Sequence, residues 1–253
     1  MSGRATAGLC VIGDEVLSAS VRDVNTPFLL DALRELGAQV REVVQVPDDR
    51  DAIIEAVTRL TARCDFVITT GGIGPTHDDV TVAAVAEAFG VSVVEHPEIL
   101  AVLEAHAPLT PGRRRLARVP DGAVPVWSAS FRWPVARMRN VWLFPGVPDM
   151  VRGLFQDVRP HLPTSPHRAR EALELAVEES VICEALDALA AASPGVSIGS
   201  YPRPERGPDG RLAWRVRLTF EGADAAAVAT ALAEARARFG RWEAFPDSGR
   251  TAP

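Results

Sequence analysis

Lysine is absent from this chain of 253 residues, so arginine supplies every permanently positive side chain. The 27 arginines are outnumbered by 33 aspartates and glutamates, which gives a formal net charge of −6 at pH 7. Because a surplus of negative charge is repelled by the phosphate backbone of DNA or RNA, we expect no nucleic-acid partner. An arginine can still bind one phosphate group bidentately, so a phosphorylated small molecule stays open as a ligand.

Cysteine is scarce, and the three that occur are far apart, at positions 10, 64 and 183. An odd number of widely spaced cysteines gives neither a disulfide framework nor a close-spaced zinc site, and we predict buried free thiols. The sequence has no apolar run long enough to cross a membrane, and residues 1–7 show no hydrophobic segment typical of a signal peptide. We therefore expect a cytoplasmic protein with no membrane partner.

Short apolar runs alternate with amphipathic stretches through the first two thirds of the sequence. Strands are predicted at residues 8–12, 39–46, 65–70 and 141–144. Helices are predicted at residues 24–36, from an N-cap at Asp48 onward, at 79–89, and from 148 to about 158. Residues 105–140 contain five prolines and are predicted to be less regular. This alternation favours an α/β domain with a mostly parallel sheet flanked by helices.

A different pattern begins after a proline-containing boundary at residues 161–167. Strands are predicted at 172–177, 196–201 and 212–220, helices at 180–192 and 223–239, and a turn at 207–210. Trp214, Val216, Leu218 and Phe220 alternate with polar residues, as in a strand with one buried face. We predict two domains: residues 1–164 form the α/β domain, and residues 165–253 form a small α+β domain.

The segment after the third predicted strand is rich in glycine and ends in two acids. Glycines let the backbone approach a bound group closely, and the N–H groups of such a turn, with the helix N-terminus that follows, favour a phosphate. The predicted phosphate-binding residues are Thr70, Gly71, Gly72, Ile73, Gly74, Pro75 and Thr76. Asp78 and Asp79 follow where a divalent cation could join protein and phosphate. The alternative is a tight turn that only connects a strand to a helix.

Other polar residues follow neighbouring predicted strands, and each also has a structural explanation. Asp14 and Glu15 are either a charged turn or ligands of a metal ion. Asp48 could cap the next helix, belong to the site, or do both, and Asn25 could cap its helix or hold a base or ribose. Because ligands of parallel sheets gather at the carboxyl ends of strands, we expect these residues to lie near the Gly-rich segment.

Two basic features stay open at this point. His77, beside the two acids, is either a solvent-facing loop residue or a general base. Arg113, Arg114, Arg115 and Arg118 are either a solvated surface or a clamp on a diphosphate.

Four motifs occur in an order that is typical of one family: residues 13–17 (GDEVL), 23–26 (DVNT), 70–81 and 144–148 (FPGVP). Together they resemble the MoaB/Mog (molybdopterin-binding-like) domain of the competence/damage-inducible protein A family, over about residues 7–160. Residues 71–81, 139–146 and 198–202 also resemble the N-terminal half of eukaryotic-type FAD synthases. The resemblance implies a three-layer α/β fold followed by a small domain.

The same resemblance implies a metal-dependent pyrophosphatase that hydrolyses the diphosphate of a dinucleotide such as FAD or ADP-ribose. It implies Asp79, Asp78 and Asp48 as catalytic acids, and Asp14, Glu15 and Asp79 as metal ligands. Asn25 and Gly146 join the Gly-rich segment in nucleotide binding. The implied cofactor is a divalent metal ion (magnesium, manganese or cobalt), with potassium as a further candidate, and a homo-oligomer is expected.

Two other functions stay open on the same motifs. One is a non-catalytic module that binds a nucleotide or molybdopterin and regulates a partner; the other is adenylylation or binding of molybdopterin in molybdenum cofactor synthesis. No segment of the sequence resembles the domain that forms FAD or the amidohydrolase domain of longer relatives, so we expect neither activity. The chain also departs from the family where a glycine usually follows the Leu-Ser pair. Ala19 and Ser20 stand there instead and could narrow the pocket.

Overall fold

The protein is described by a computed structural model that covers residues 4–166, 168–206 and 212–244. The chain divides into two compact units, residues 1–165 and residues 166–253. Two apolar clusters form the core of the first unit, and a third forms the core of the second. The turn predicted at 207–210 lies outside the described residues.

The first unit is built on a six-stranded, mostly parallel sheet. The strands of this unit, in chain order, are β1 (Thr6–Ile12), β2 (Gln39–Val46), β3 (Phe66–Thr70), β4 (Val93–Glu95), β5 (Arg118–Pro120), β6 (Val124–Trp127), β7 (Pro134–Met138) and β8 (Val141–Phe144). The large sheet has the order β2-β1-β3-β8-β7-β6, while β4 and β5 form a separate antiparallel pair. The pairs β1–β2, β1–β3 and β3–β8 are parallel, whereas β7 runs antiparallel to both β8 and β6.

Helices cover both faces of this sheet. They are α1 (Asp14–Leu17), α2 (Asn25–Glu35), α3 (Arg50–Arg63), α4 (Thr81–Ala88), α5 (Pro97–His106), α6 (Pro111–Arg115) and α7 (Pro148–Val158). Successive residues of a strand point to opposite faces, so Val67 joins the cluster of α3 and α4, and Ile68 joins that of α2 and α7. The structure therefore confirms the predicted three-layer α/β fold.

The segment predicted to be less regular contributes the antiparallel strands β6 and β7 of the large sheet, and also β5 of the separate pair. Its strands β5, β6 and β7 are only three to five residues long, and prolines occur in each of them. Pro125 is tolerated because β6 is the edge strand of the sheet, and Pro134 because it is the first residue of β7. Short strands with prolines carry too weak an alternation for a sequence pattern to reveal them.

The second unit has the predicted β-α-β-β-α order. Its elements are β9 (Ala169–Leu175), α8 (Glu179–Ala192), β10 (Val196–Arg206), β11 (Leu212–Gly222) and α9 (Ala225–Phe239), with the antiparallel strand order β10-β11-β9. Val216, Leu218 and Phe220 are fully buried, but Trp214 is 39% exposed, so the predicted buried face does not extend to it. β10 runs past the predicted end to Arg206 because it pairs with β11 along its whole length.

Two of the three cysteines are buried as predicted, and the third is not. Cys10 is enclosed in the core, where burial raises the pKa of its thiol to about 12. Cys64 is also buried, whereas Cys183 is exposed on α8 beside the buried Ile182. The prediction was wrong for Cys183 because its position falls on the solvent face of the helix. No helix in the described residues is long and apolar enough to span a membrane.

Helix α2 offers a matched test of the packing between helix and sheet. Leu33 is fully buried, while Leu30, three residues earlier, is 37% exposed. Leu33→Ala should lower the free energy of unfolding by roughly 2–5 kcal/mol, because it removes buried methyl groups and leaves a cavity. Leu30→Ala removes the same atoms and should cost less than about 1 kcal/mol. Urea denaturation followed by circular dichroism measures both, and equal losses would contradict the packing described here.

Candidate functional site

The carboxyl ends of β1, β2, β3 and β8 lie side by side, because these strands are parallel neighbours. Backbone pairing continues one residue past two of these ends: Gly13 donates to the carbonyl of Val46 (3.1 Å), and Gly71 donates to that of Phe144 (3.1 Å). The turns that follow the four strands therefore meet at one edge of the sheet. Such an edge is where parallel sheets bind their ligands.

Gly71 and Gly72 occupy positions that only glycine can fill without displacing a neighbour. Both have left-handed backbones, with φ of +99° and +64°. A Cβ on Gly71 would lie 2.1 Å from the carbonyl oxygen of Ile12, and one on Gly72 would lie 2.2 Å from Oγ1 of Thr81. The Thr81 hydroxyl in turn donates to the carbonyl of Gly71 (3.0 Å). The loop is thus held between the end of β1 and the start of α4.

Asp79 binds the rest of this loop from within. Its Oδ1 accepts from the N–H of Gly74 (2.7 Å), and its Oδ2 accepts from the N–H (2.8 Å) and hydroxyl (2.6 Å) of Thr76. These bonds explain why α4 begins at Thr81 and not at the predicted residue 79, since residues 78–80 belong to the turn. Asp79 therefore has a clear role in shaping the loop, and its catalytic and metal-binding roles stay predictions.

The N–H groups of two adjacent residues at the start of the loop are left without an intramolecular partner. Those of Gly72 and Ile73 donate no hydrogen bond to any described residue, while their neighbours Gly71 and Gly74 are both engaged. Both residues line a cleft at this edge. Adjacent free N–H groups in a turn are the usual binding elements for a phosphate oxygen.

Four carboxylates surround the turns next to this loop. Asp48 Oδ2 accepts from the N–H of Asp14 (3.0 Å), and Glu15 follows directly. Burial, and then repulsion from Glu15, Asp14 and Asp78, raises the pKa of Asp48, although the Asp14 N–H acts in the opposite sense. The prediction that Asp48 caps α3 was wrong, because Asp49 is the N-cap and accepts from the N–H of Ala52 (2.9 Å).

The fit of these acids to a divalent cation can be judged from their arrangement. Among the described residues, no three or more aspartate, glutamate, histidine or cysteine side chains come together as a metal site. A cage built only from protein ligands is therefore absent from that part of the chain. Magnesium, however, is commonly held by one or two carboxylates, with phosphate oxygens and waters completing its shell. Glu15, or Asp14 with Asp48, fits that second arrangement.

A cleft of about 600 Å³ opens beside the Gly-rich loop. The predicted site residues that line it are Glu15, Gly71, Gly72, Ile73, Gly74, Asp79 and Gly146. Those that do not line it are Asp14, Asn25, Asp48, Thr70, Pro75, Thr76 and Asp78. Thr70 is only 2% exposed, because it is the last residue of a central strand. Phosphate binding at Thr70 would therefore need its enclosed side chain to be uncovered.

Asn25 does not line the cleft, but it binds Gly146, which does. Its Nδ2 donates to the carbonyl of Gly146 (2.7 Å), which fixes the turn after β8. The side chain does not cap α2, which was one of its two predicted roles; Asp23 Oδ1 accepts from the N–H groups of Asn25 (2.9 Å) and Thr26 (3.0 Å) instead. His77 lies on the loop with its side chain 96% exposed, in agreement with the solvent-facing alternative.

Three apolar residues of the cleft wall were not predicted from the sequence. Leu116, Trp133 and Met150 line it, together with Pro145 and Val147. Leu116 and Trp133 come from the segment without regular periodicity, so no pattern indicated their position. Met150 could have been found, because it lies one turn into the helix that follows Gly146.

The family's missing glycine has a conformational counterpart in the structure. Ala19 has a left-handed backbone (φ +57°), which glycine adopts more readily. Ala19 and Ser20 are exposed, and neither lines the cleft. Neither residue therefore narrows this cleft, and Ala19 instead holds a left-handed conformation in an exposed turn.

Comparison with known proteins matches the chain to two family descriptions. Residues 8–181 match "Probable molybdopterin binding domain", and residues 168–247 match "FAD synthase, middle domain". A CinA-like protein of Anaeromyxobacter dehalogenans is 41% identical over 161 residues, which are 59% of this chain and 39% of that protein. A probable FAD synthase of Caenorhabditis elegans is 31% identical over 231 residues, which are 80% of this chain and 44% of that protein.

A solved structure supports the same fold. The protein CinA of Thermoplasma acidophilum, whose function is described as unknown, matches with a TM-score of 0.58 and 28% identity, over 62% of this chain and 98% of that one. The chain spans less than half the length of both curated relatives named above. Their names therefore describe longer proteins.

The close contact at Gly71 can be tested by comparison with a second glycine that also has a positive φ but has no neighbouring atoms where a Cβ would lie. Gly71→Ala should strongly destabilise the protein, because its Cβ would collide with a backbone carbonyl that cannot move away. Gly90→Ala is the control: its φ is +68°, but no atom lies within 4 Å of an added Cβ. That change should cost only about 1 kcal/mol, from backbone strain alone. Thermal melting that shows similar losses for both variants would contradict the described loop.

Asp48 gives a prediction for the dependence of stability on pH. Because its pKa is raised in the fold, the ionised carboxylate lowers stability above its unfolded pKa, and this cost disappears as the pH falls. Asp48→Asn keeps an oxygen that can accept from Asp14 and removes the charge. The variant should be more stable than the parent at pH 7, and the difference should vanish in acid. Asp49→Asn, which keeps a good N-cap, should change little. Chemical denaturation across pH measures both variants; a less stable Asp48→Asn protein at pH 7 would contradict the account.

Proposed function

The chain belongs to the family of the probable molybdopterin-binding domain, and on that premise we propose that its cleft binds a nucleotide through a diphosphate and hydrolyses that diphosphate. The observation that carries the proposal is the composition of the cleft. It joins two free backbone N–H groups to an apolar wall and to a carboxylate. The N–H groups can bind a phosphate, the apolar wall can bind a ring, and the carboxylate can bind a cation.

The loop supplies the phosphate contacts in this proposal. The N–H groups of Gly72 and Ile73 donate to oxygens of the diphosphate, and Asp79 keeps the loop in the required shape. Because these donors are fixed by the fold, little reorganisation is needed when the negative charge on phosphorus grows during the reaction.

The apolar wall supplies the ring contacts. Trp133 presents an aromatic side chain, and Met150 and Leu116 add flexible apolar surface beside it. Flat rings such as adenine, isoalloxazine or pterin pack well on such a surface. The wall therefore favours a ligand with a ring over a free diphosphate.

The carboxylates supply the charge and proton chemistry. Glu15 at the cleft, or Asp14 with Asp48 beside it, would hold a divalent cation (magnesium, manganese or cobalt), which when bound offsets the charge of the diphosphate. A water attacks one phosphorus, the bridging P–O bond breaks, and the water's proton passes to a carboxylate. Asp48 lies beside the cleft and not in its wall, so it would take up this proton through a further water, and its raised pKa suits it to do so. The products are a nucleoside monophosphate and a second phosphate ester.

A second candidate function is binding without turnover. Binding needs only the loop donors and the apolar wall, and no metal ion. In that case the cleft holds a nucleotide or a molybdopterin and signals to a partner. The family description names molybdopterin, so adenylylation or binding of a pterin is a third candidate for the same cleft. A cytoplasmic location and a homo-oligomer belong to the same set of proposals.

The test is incubation of the purified protein with FAD and with ADP-ribose, each with and without a divalent cation, followed by chromatography. We expect release of AMP that depends on the cation. Trp133→Leu should raise KM, because it removes the ring platform and leaves the loop intact. Trp127→Leu is the matched control: this tryptophan is 37% exposed, bonds to Glu98 (3.1 Å) and does not line the cleft.

Each outcome of this experiment selects one candidate. No product with any cation, together with saturable binding that Trp133→Leu weakens, would contradict hydrolysis and favour the binding module. Binding of a pterin but of neither nucleotide would favour the molybdopterin candidate. Equal effects of the two tryptophan variants would contradict the assignment of Trp133 as the ring platform.

A further inference from the structure

The arginines of the arginine-rich segment, residues 113–118, have different partners in the structure. Arg113 donates to the carbonyl of Leu103 at the end of α5 (2.7 Å), and Arg114 pairs with Glu95. Arg115 uses one N–H to contact the carbonyl of Pro75 on the Gly-rich loop (3.1 Å). These first two arginines are structural, while the third touches the candidate site.

Arg118 differs from these three because its side chain has no partner. It makes no hydrogen bond or ion pair with any described residue, although its strand β5 pairs with β4 through the backbone. Among the described acids, Glu95 stands opposite it in the register, but the carboxylate of Glu95 is engaged by Arg114. Since Glu95 pairs with Arg114, the guanidinium of Arg118 is available to bind an external anion.

Arg115 and Arg118 both line a second cavity, of about 380 Å³. Its wall also includes Ile73, Gly74 and Asp79, which line the main cleft as well. The two cavities are therefore neighbours that share part of the Gly-rich loop. Neither arginine lines the main cleft, so they cannot act as a clamp on a diphosphate held only there.

We propose that this second cavity is an anion subsite in which Arg118, assisted by Arg115, binds a phosphoryl group. The planar guanidinium of arginine matches two phosphate oxygens at once, and Arg115 keeps further N–H groups beyond the one used on Pro75. Thr76 lines the same wall, but its hydroxyl already donates to the carboxylates of Asp78 and Asp79, so the two arginines carry the subsite.

The charge of the cavity suits this ligand. Its titratable wall residues are the two arginines, His77 and Asp79. The oxygens of Asp79 already accept three hydrogen bonds from the loop, which compensates its charge locally. His77 is exposed and adds a further donor. With two arginines and one carboxylate, the wall of this cavity has a net positive charge. The side chains beside the main cleft are instead mostly acidic.

The shared wall also indicates a class of ligand, and this step rests on the proposed function. A nucleotide whose diphosphate lies on the free N–H groups of the loop can place a separate phosphate monoester in the neighbouring cavity. The ligand class is therefore a dinucleotide with phosphoryl groups at two places. A dinucleotide without the extra phosphate would fill only the main cleft.

The subsite itself can be tested without any nucleotide, by labelling arginines in the intact protein with phenylglyoxal. Millimolar inorganic phosphate should slow the labelling of Arg118 and Arg115 several-fold, against sodium chloride of equal ionic strength. Arg22 is the internal control, since it is exposed and has no partner among the described residues. Peptide mass spectrometry measures each site. Arg115→Gln should reduce the protection of Arg118, because the two side chains hold the anion together.

Labelling of Arg118 that phosphate slows no more than that of Arg22 would overturn the subsite. A separate measurement tests the ligand class. NADP, which carries an additional phosphate monoester, should protect Arg118 from labelling at a lower concentration than NAD does. Equal protection by the two would overturn the ligand class. Both readouts are independent of turnover, so a protein that protects Arg118 and hydrolyses nothing would keep the subsite and lose only the proposed hydrolysis.

Discussion

The site depends on one close backbone approach. Gly71 passes so near the carbonyl of Ile12 that no side chain fits between them, and its N–H is bound to the end of β8. This contact fixes the start of the Gly-rich loop relative to three strands at once. Asp79 then fixes the remainder of the loop, so that Gly72 and Ile73 are left as its free donors. A shift at Gly71 would move every one of these groups.

Around that loop the molecule separates three kinds of chemistry. Carboxylates gather after β1 and β2, an apolar wall with Trp133 lies along the main cleft, and two arginines line the neighbouring cavity. The raised pKa of Asp48 shows that the acidic group is held at a cost to stability. Groups retained at such a cost are frequent at functional sites. The arrangement is therefore consistent with a ligand that brings its own negative charge and a counter-ion.

The sequence was sufficient for the parts of the fold that are built on strong periodicity. The parallel strands, their helices and the meeting of strand ends followed from apolar runs and turn residues. It was not sufficient for β6 and β7, where prolines and short lengths hide the alternation. Asp48 and Asp49 show a second limit. Both are adjacent acids before a helix, and only the backbone geometry decides which of them caps it.

The cleft wall shows a third limit. Trp133 lies outside every motif of the site, and no local pattern connects it to the loop. Its position follows from β7 pairing with β8, which is a tertiary event. Polar loop residues could thus be predicted from local chemistry, whereas the apolar residues Leu116 and Trp133 could not.

The most direct test of the account is nuclear magnetic resonance of the ¹⁵N-labelled protein during titration with ADP-ribose and magnesium. If the free donors of the loop hold the diphosphate, the amide signals of Gly72 and Ile73 should shift most. That of Gly90, which has a similar left-handed backbone (φ +68°) and does not line the cleft, should stay in place. Saturable binding that leaves Gly72 and Ile73 unchanged would contradict the claim that this loop is the phosphate site.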